Sequence, residues 1–338
     1  MHFIAALSFV LLGGSGQASE TVRGRWIVAH YGDFGVWNNF DIHAGLSCDF
    51  DGDGDQTEIS YRGTRYAAFA FAFNHGEEEL SFSSDPYDPT VTVLSEADLS
   101  TADRAWAAYE YNAGPLWLSK DEIWGVEDRS MRVVWTIYND SDLEVEDLRV
   151  ALMMDPDQDY DPTDSWSFDT NNDVQDLDGD GVEDWAQSVG RTSGDTVGFG
   201  ACDPRNTEVG HHWDNDAGTD VDRIYVYDKD GASADSAMVW RWQAPMPLEA
   251  GGTITTSLVV AMGDTEEEAQ DEWLAAMEDC VVSGLELDAG EPEKAHLWSG
   301  CEGSPYDCAH SAGRPAAAWW ALALGAVAAL RRRSVLRR

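Results

Sequence analysis

Basic residues are scarce in this chain. Lys and Arg number 21 against 63 Asp and Glu, a formal net charge of −42, and that imbalance argues against nucleic acid or anionic lipid as a partner of the folded region. No C-x-x-C pair occurs among the five cysteines, which removes zinc-ribbon and thioredoxin-type redox sites. H-E-x-x-H, G-x-S-x-G and the phosphate-cradling G-x-x-x-x-G-K-[ST] are missing too, so zinc protease, α/β-hydrolase and P-loop chemistry lack their signatures. Residues 20–295 contain no Pro-rich or Ser-rich linker and no internal repeat. A hydrophobic content of 43% with 15 Trp nonetheless supplies a core, so the acidity decorates a folded body rather than a disordered tail.

The apolar residues alternate. Met131–Tyr138 is β-branched and aromatic, Asn139-Asp140-Ser141-Asp142 signals a turn, and Val145, Leu148, Val150, Leu152 and Met154 follow. This pattern predicts an antiparallel hairpin that delivers Asp155 to a sheet edge. Further strands are expected over 59–73, 223–227, 237–243 and 253–262. Trp240 and Trp242 share one face of their strand with Arg241 opposite, the parity of a core-facing pair. One helix is expected after Thr265-Glu266-Glu267-Glu268, a capping box, with Ala269, Trp273, Ala276, Met277 and Cys280 on its apolar side. The fold class is therefore mostly β, an antiparallel β-sandwich, large or double, with one C-terminal amphipathic helix.

Asp176-Leu177-Asp178-Gly179-Asp180-Gly181-Val182-Glu183-Asp184 places carboxylates at alternate positions beside glycines. Asp176, Asp178, Asp180 and Asp184 can converge on one hard cation if the backbone curls, and glycine permits the curl. This D-x-D-x-D-G-x-x-D spacing resembles the thrombospondin type 3 and dockerin-like calcium loops. It departs from an EF-hand, with Glu183 where an aliphatic residue belongs and Gln187 in place of the bidentate Glu. Asp49, Asp51, Asp53 and Asp55 repeat the alternation, with Thr57 at the ninth position. Asp155, Asp157, Asp159 and Asp161 do so again, in a stretch with no Lys or Arg between Arg149 and Arg191. Asp157, Asp159 and Asp161 are expected to share an ion or to join Asp169 and Asp173 in a composite site. Calcium is the implied cofactor. His211 and His212 are the one place where imidazoles meet carboxylates, and adjacent residues of an extended segment point apart, so a loop with one hydrogen-bonded histidine is expected there.

Residues 1–18 read as a secretory signal, with an apolar run over 3–12 and a small-x-small site ending at Ala18. The body then spans 19–300. At the other end Cys308, a polar spacer, an apolar helix over 315–330 and Arg331-Arg332-Arg333 resemble the myxobacterial C-terminal sorting tail (MYXO-CTERM). That resemblance covers about 30 residues of the 301–338 tail and implies processing of the tail, display at the outer surface or release, and membrane contact through the tail alone. With Cys308 assigned to sorting, Cys48, Cys202, Cys280 and Cys301 form an even set for an oxidising compartment. Cys280 with Cys301 and Cys48 with Cys202 is the economical pairing, though three connectivities are open.

Leu248–Thr253, a strand and then Gly263-Asp264-Thr265 look like the closing hairpin of large sandwiches in carbohydrate-active enzymes and mutarotase-like proteins. Two functions compete. One is an exported, calcium-binding sandwich with a structural or adhesion role toward a polysaccharide or surface matrix. The alternative is a secreted carbohydrate-active enzyme, glycoside hydrolase or lyase-like, with accessory calcium; its acid and base would be two carboxylates facing across a cleft.

Overall fold

The computed structural model describes residues 21–39, 44–60, 67–84, 89–159, 170–177, 179, 181–203, 206–212, 233–234, 236–277 and 280. The signal segment, the tail with its 315–330 helix, Asp161, Asp169, Asp178, Asp180, the expected strand 223–227, Cys301 and Cys308 lie outside them.

Three antiparallel sheets form the body. A small N-terminal sheet contains β1 (Thr21–Arg23), β2 (Ile27–His30), β3 (Asn38–Asn39), β4 (Ala44–Cys48) and β5 (Thr57–Glu58). A five-stranded sheet takes β6 (Ala67–His75), β7 (Glu78–Ser83), β12 (Val145–Met154), β16 (Thr207–His212) and β18 (Ala237–Gln243), in the order β16-β18-β12-β6-β7. The largest sheet contains β8 (Thr92–Asp98), β9 (Arg104–Ala113), β10 (Leu116–Gly125), β11 (Ser130–Asn139), β13 (Thr170–Gln175), β14 (Trp185–Gly190), β15 (Thr196–Ala201), β17 (Ser233–Ala234) and β19 (Thr253–Gly263). Its order is β17-β13-β14-β15-β19-β11-β10-β9-β8.

Period-two alternation builds the core between the two larger sheets. Phe69, Phe71 and Phe73 of β6 point inward while Ala68, Ala70 and Ala72 take the other face. Phe69 meets Trp135 of β11 edge to face at 4.7 Å and Tyr111 of β9 at 5.0 Å, a geometry in which ring edges meet ring faces favourably. Trp240 and Trp242 are buried as their parity requires, and Arg241 on the opposite face pairs with Glu208.

The 131–138 and 145–154 runs are strands, but they are not a hairpin. β11 pairs with β10 and β19 in one sheet, and β12 pairs with β6 and β18 in the other. Both strands bury side chains in the same core, so the turn between them arches across the sandwich. Asn139 Nδ2 pins that arch by donating to the carbonyls of Leu143, Leu248 and Glu249. Of the expected 59–73 strand, β6 takes Ala67 onward, Ile59 and Ser60 follow the end of β5 at Glu58, and 61–66 lie outside the described residues.

Helix α1 (Glu266–Ala276) starts where the capping box places it, with Thr265 Oγ1 accepting from Glu268 N. Glu268 bonds back to Asp264 N, one residue earlier than the box predicts. The helix lays Ala269 and Trp273 on the outer face of β15 and β19, where Trp185, Val259 and Ala261 meet them. That cover explains why β19 is buried on both faces after its first residue. Glycines make the approach possible: a Cβ on Gly200 would lie 1.8 Å from Trp273 Nε1, and one on Gly198 would lie 2.1 Å from the Trp185 ring.

Cys202 is bonded to Cys280, not to Cys48, and Cys280 is therefore not paired with Cys301. Cys280 follows the helix that packs over Cys202, whereas Cys48 is a buried free thiol at the end of β4. Among the described residues no helix is long and apolar enough to cross a membrane.

Candidate metal centre

The loop after β4 is built on a buried anchor. Cys48, Asp49 and Phe50 are buried, while residues 51–55 are exposed. Asp49 acts on the loop itself: its Oδ1 accepts from Gly52 N at 2.9 Å and its Oδ2 from Gly54 N at 3.1 Å. Both glycines have positive φ, 76° and 98°, a conformation that an L side chain resists. Asp51 Oδ1 accepts from Asp53 N, and Asp53 Oδ1 from Asp55 N. The curl brings ligand oxygens of Asp49, Asp51 and Asp53 within 4.8 Å of one another. Oxygens on opposite sides of a calcium ion, each about 2.3–2.6 Å from it, lie about 5 Å apart, so the three fit around such an ion. An all-carboxylate donor set of this size suits a hard cation. Asp55 is not part of the group.

The loop is held from behind. Arg129 donates to the Phe50 carbonyl at 2.8 Å, stacks over Trp26 at 4.3 Å and pairs with Asp264 and Glu268 at the start of α1. Trp26 lies beneath Gly52, where a Cβ would come within 3.1 Å of the ring.

The same cradle recurs at Asp176. Its Oδ1 accepts from Gly179 N at 2.7 Å and its Oδ2 from Gly181 N at 2.8 Å, and both glycines again have positive φ. Asp184, buried, closes this loop by accepting from Leu177 N. The shared D-x-D-G-D-G string is the signal for the cradle, with the first Asp serving as a cap for two glycine amides.

Of the third acidic string and its expected partners, Asp161 and Asp169 lie outside the described residues. Asp155 and Asp157 are buried, and Asp157 N bonds to the Ile59 carbonyl beside the small sheet. Asp159 caps the turn at Thr192 and Ser193. Tertiary structure also groups carboxylates distant in sequence. Burial pushes the Asp195 carboxyl up, and the charges of Asp159, Asp264 and Asp51 add to it against a Ser193 hydrogen bond. His211 and His212 belong to strand β16 rather than a loop, and their registers with Met238 and Ala237 put them on opposite faces. His211 Nε2 lies 3.3 Å from the Asp173 carbonyl, and burial pushes the imidazole down to about 4.

Two further features stand out. Lys120 and Glu122 of β10 are a buried ion pair at 2.6 Å, each side chain 1% exposed. Lys120 also donates to the Gly35 carbonyl, and Glu122 Oε2 accepts from Tyr31 OH and Trp37 Nε1. The ammonium sits among the rings of Tyr31, Phe69, Tyr109 and Trp135. The sequence carried a signal for this pair, since Lys120 and Glu122 share parity with the buried Leu116, Leu118 and Trp124. Secondly, a groove of about 310 Å³ lies at the end of β16 and β18, lined by Asn206, Thr207, Glu208, Arg241, Gln243, Ala244 and Pro245.

No family model matches the chain, and no curated protein matches it. Among solved structures, a polysaccharide lyase overlays 68% of this chain on 32% of its own, at 10% identity and a TM-score of 0.45. An α-mannosidase from Enterococcus faecalis V583 overlays 77% on 31%, at 8% identity and a TM-score of 0.43. A galactose mutarotase related enzyme from Lactobacillus acidophilus overlays 74% on 99%, at 8% identity and a TM-score of 0.40. The chain spans about a third of the length of the first two. Overlays at this identity and TM-score assign no residue a role.

Proposed function

We propose that this chain is an exported, calcium-stabilised β-sandwich that acts by binding, in a structural or adhesion role at the cell surface. The observation that carries the reading is the convergence of Asp49, Asp51 and Asp53 oxygens within 4.8 Å on a loop already curled by its own amide bonds. In an ion's absence those carboxylates repel one another. With calcium bound they become ligands, and the ion stabilises the folded state by mass action. The Asp176 cradle supports a second site of the same kind. Export through residues 1–18 and surface sorting through 301–338 belong to the same proposal.

Calorimetric titration of calcium into EDTA-stripped protein is the test. Heat of binding and a raised melting temperature are expected, both reduced by Asp49→Ala. No heat and no melting shift would refute the calcium reading.

A second reading is a secreted carbohydrate-active protein with accessory calcium, and the polar groove beside Arg241 is the feature of this chain that favours it. The lyase and the mannosidase share part of the sandwich by overlay but lend it no residue. Incubation with a polysaccharide panel separates the readings: turnover supports an enzyme, saturable binding without turnover a recognition module.

A further inference from the structure

We infer that the groove at the end of β16 and β18 is a binding site for a neutral saccharide, an inference that rests on the carbohydrate reading above. Its volume, about 310 Å³, falls at the lower end of the range of small-ligand sites. Its lining divides as a sugar ring divides. Asn206, Glu208, Arg241 and Gln243 supply donors and acceptors for hydroxyls, and Ala244 with Pro245 supplies an apolar surface for the C–H face.

The groove is pre-formed. Gln243 N donates to the Asn206 carbonyl, Asn206 Nδ2 bonds to Asp203 Oδ2 at 2.7 Å, and Gln243 Nε2 bonds to Asp147 Oδ1 at 2.7 Å. Each carboxamide is thus oriented by a neighbouring carboxylate before any ligand arrives.

Charge decides between neutral and acidic sugars. Arg241 Nη2 is paired with Glu208 Oε1 at 3.0 Å, so the groove has no surplus positive charge for a carboxylate. The surrounding chain, at −42, repels polyanions.

The test is calorimetry of the full exported chain against maltohexaose, cellohexaose, mannohexaose and a galacturonic acid hexamer, repeated with Gln243→Ala and Arg241→Ala. Saturable binding of a neutral probe is expected, weakened about tenfold or more in each variant at an unchanged melting temperature. Neutral-probe binding that neither variant weakens would overturn this site while leaving the carbohydrate reading standing. Preference for the galacturonic acid hexamer would overturn the neutral assignment, and binding of no probe would overturn both site and reading.

Discussion

Lys120→Met is the substitution with the largest expected consequence outside the loops. It removes one partner of an ion pair whose side chains are each 1% exposed, and leaves the Glu122 carboxylate in the core with only the hydroxyl of Tyr31 and the indole of Trp37 to solvate it. Breaking a buried pair in this way costs about 3–5 kcal/mol, a large share of the ~5–15 kcal/mol that holds a domain together. For a body of this size, that corresponds to a fall in melting temperature of roughly 5–9 °C. The Gly35 carbonyl loses its donor at the same time, so the segment carrying Tyr31, Gly35 and Trp37 should loosen first. Urea unfolding followed by Trp fluorescence gives the stability change, and hydrogen exchange over residues 27–37 reports the loosening. The double variant Lys120→Met/Glu122→Gln removes the orphaned charge while keeping an acceptor for Tyr31 and Trp37. It should therefore recover at least half of the single variant's loss. A loss below about 1 kcal/mol for Lys120→Met, or a double variant that loses the sum of the singles, would refute the reasoning.

Two more outcomes follow from the packing. His211 has a folded-state value of about 4 against 6.5 for a free imidazole, because burial disfavours the charged ring. The unfolded chain therefore binds the extra proton first, and stability present above pH 6.5 is lost as pH falls toward 4, by roughly 3 kcal/mol. His211→Gln should flatten that part of the stability profile, and an unchanged slope between the two proteins would show that other groups carry it. Gly200→Ala should destabilise by about 1–3 kcal/mol, since the new methyl would lie 1.8 Å from Trp273 Nε1 and push α1 off the sheet. Trp fluorescence and circular dichroism read the displacement, and a melting temperature equal to the parent's would contradict it.

Local chemistry was legible in the chain itself. Alternation marked β11, β12, β18 and β19 and set the inward face of Trp240 and Trp242, because a strand's side chains must alternate whatever its neighbours are. Thr265 and Glu268 marked the start of α1, and the D-x-D-G-D-G strings marked two loops whose curl depends on their own amides and glycines. Partner choice was not legible. Parity says which face of a strand is buried but not against what, so β11 and β12 read as a hairpin until the tertiary structure placed them in opposite sheets. The same reason hid the Cys202–Cys280 bond and the nearness of Asp195 to Asp159, Asp264 and Asp51. It hid the use of Lys120 and Glu122 as well. Their inward parity was visible in β10, but only the approach of Tyr31, Gly35 and Trp37, more than eighty residues away, gave a buried charge pair the hydrogen bonds it requires.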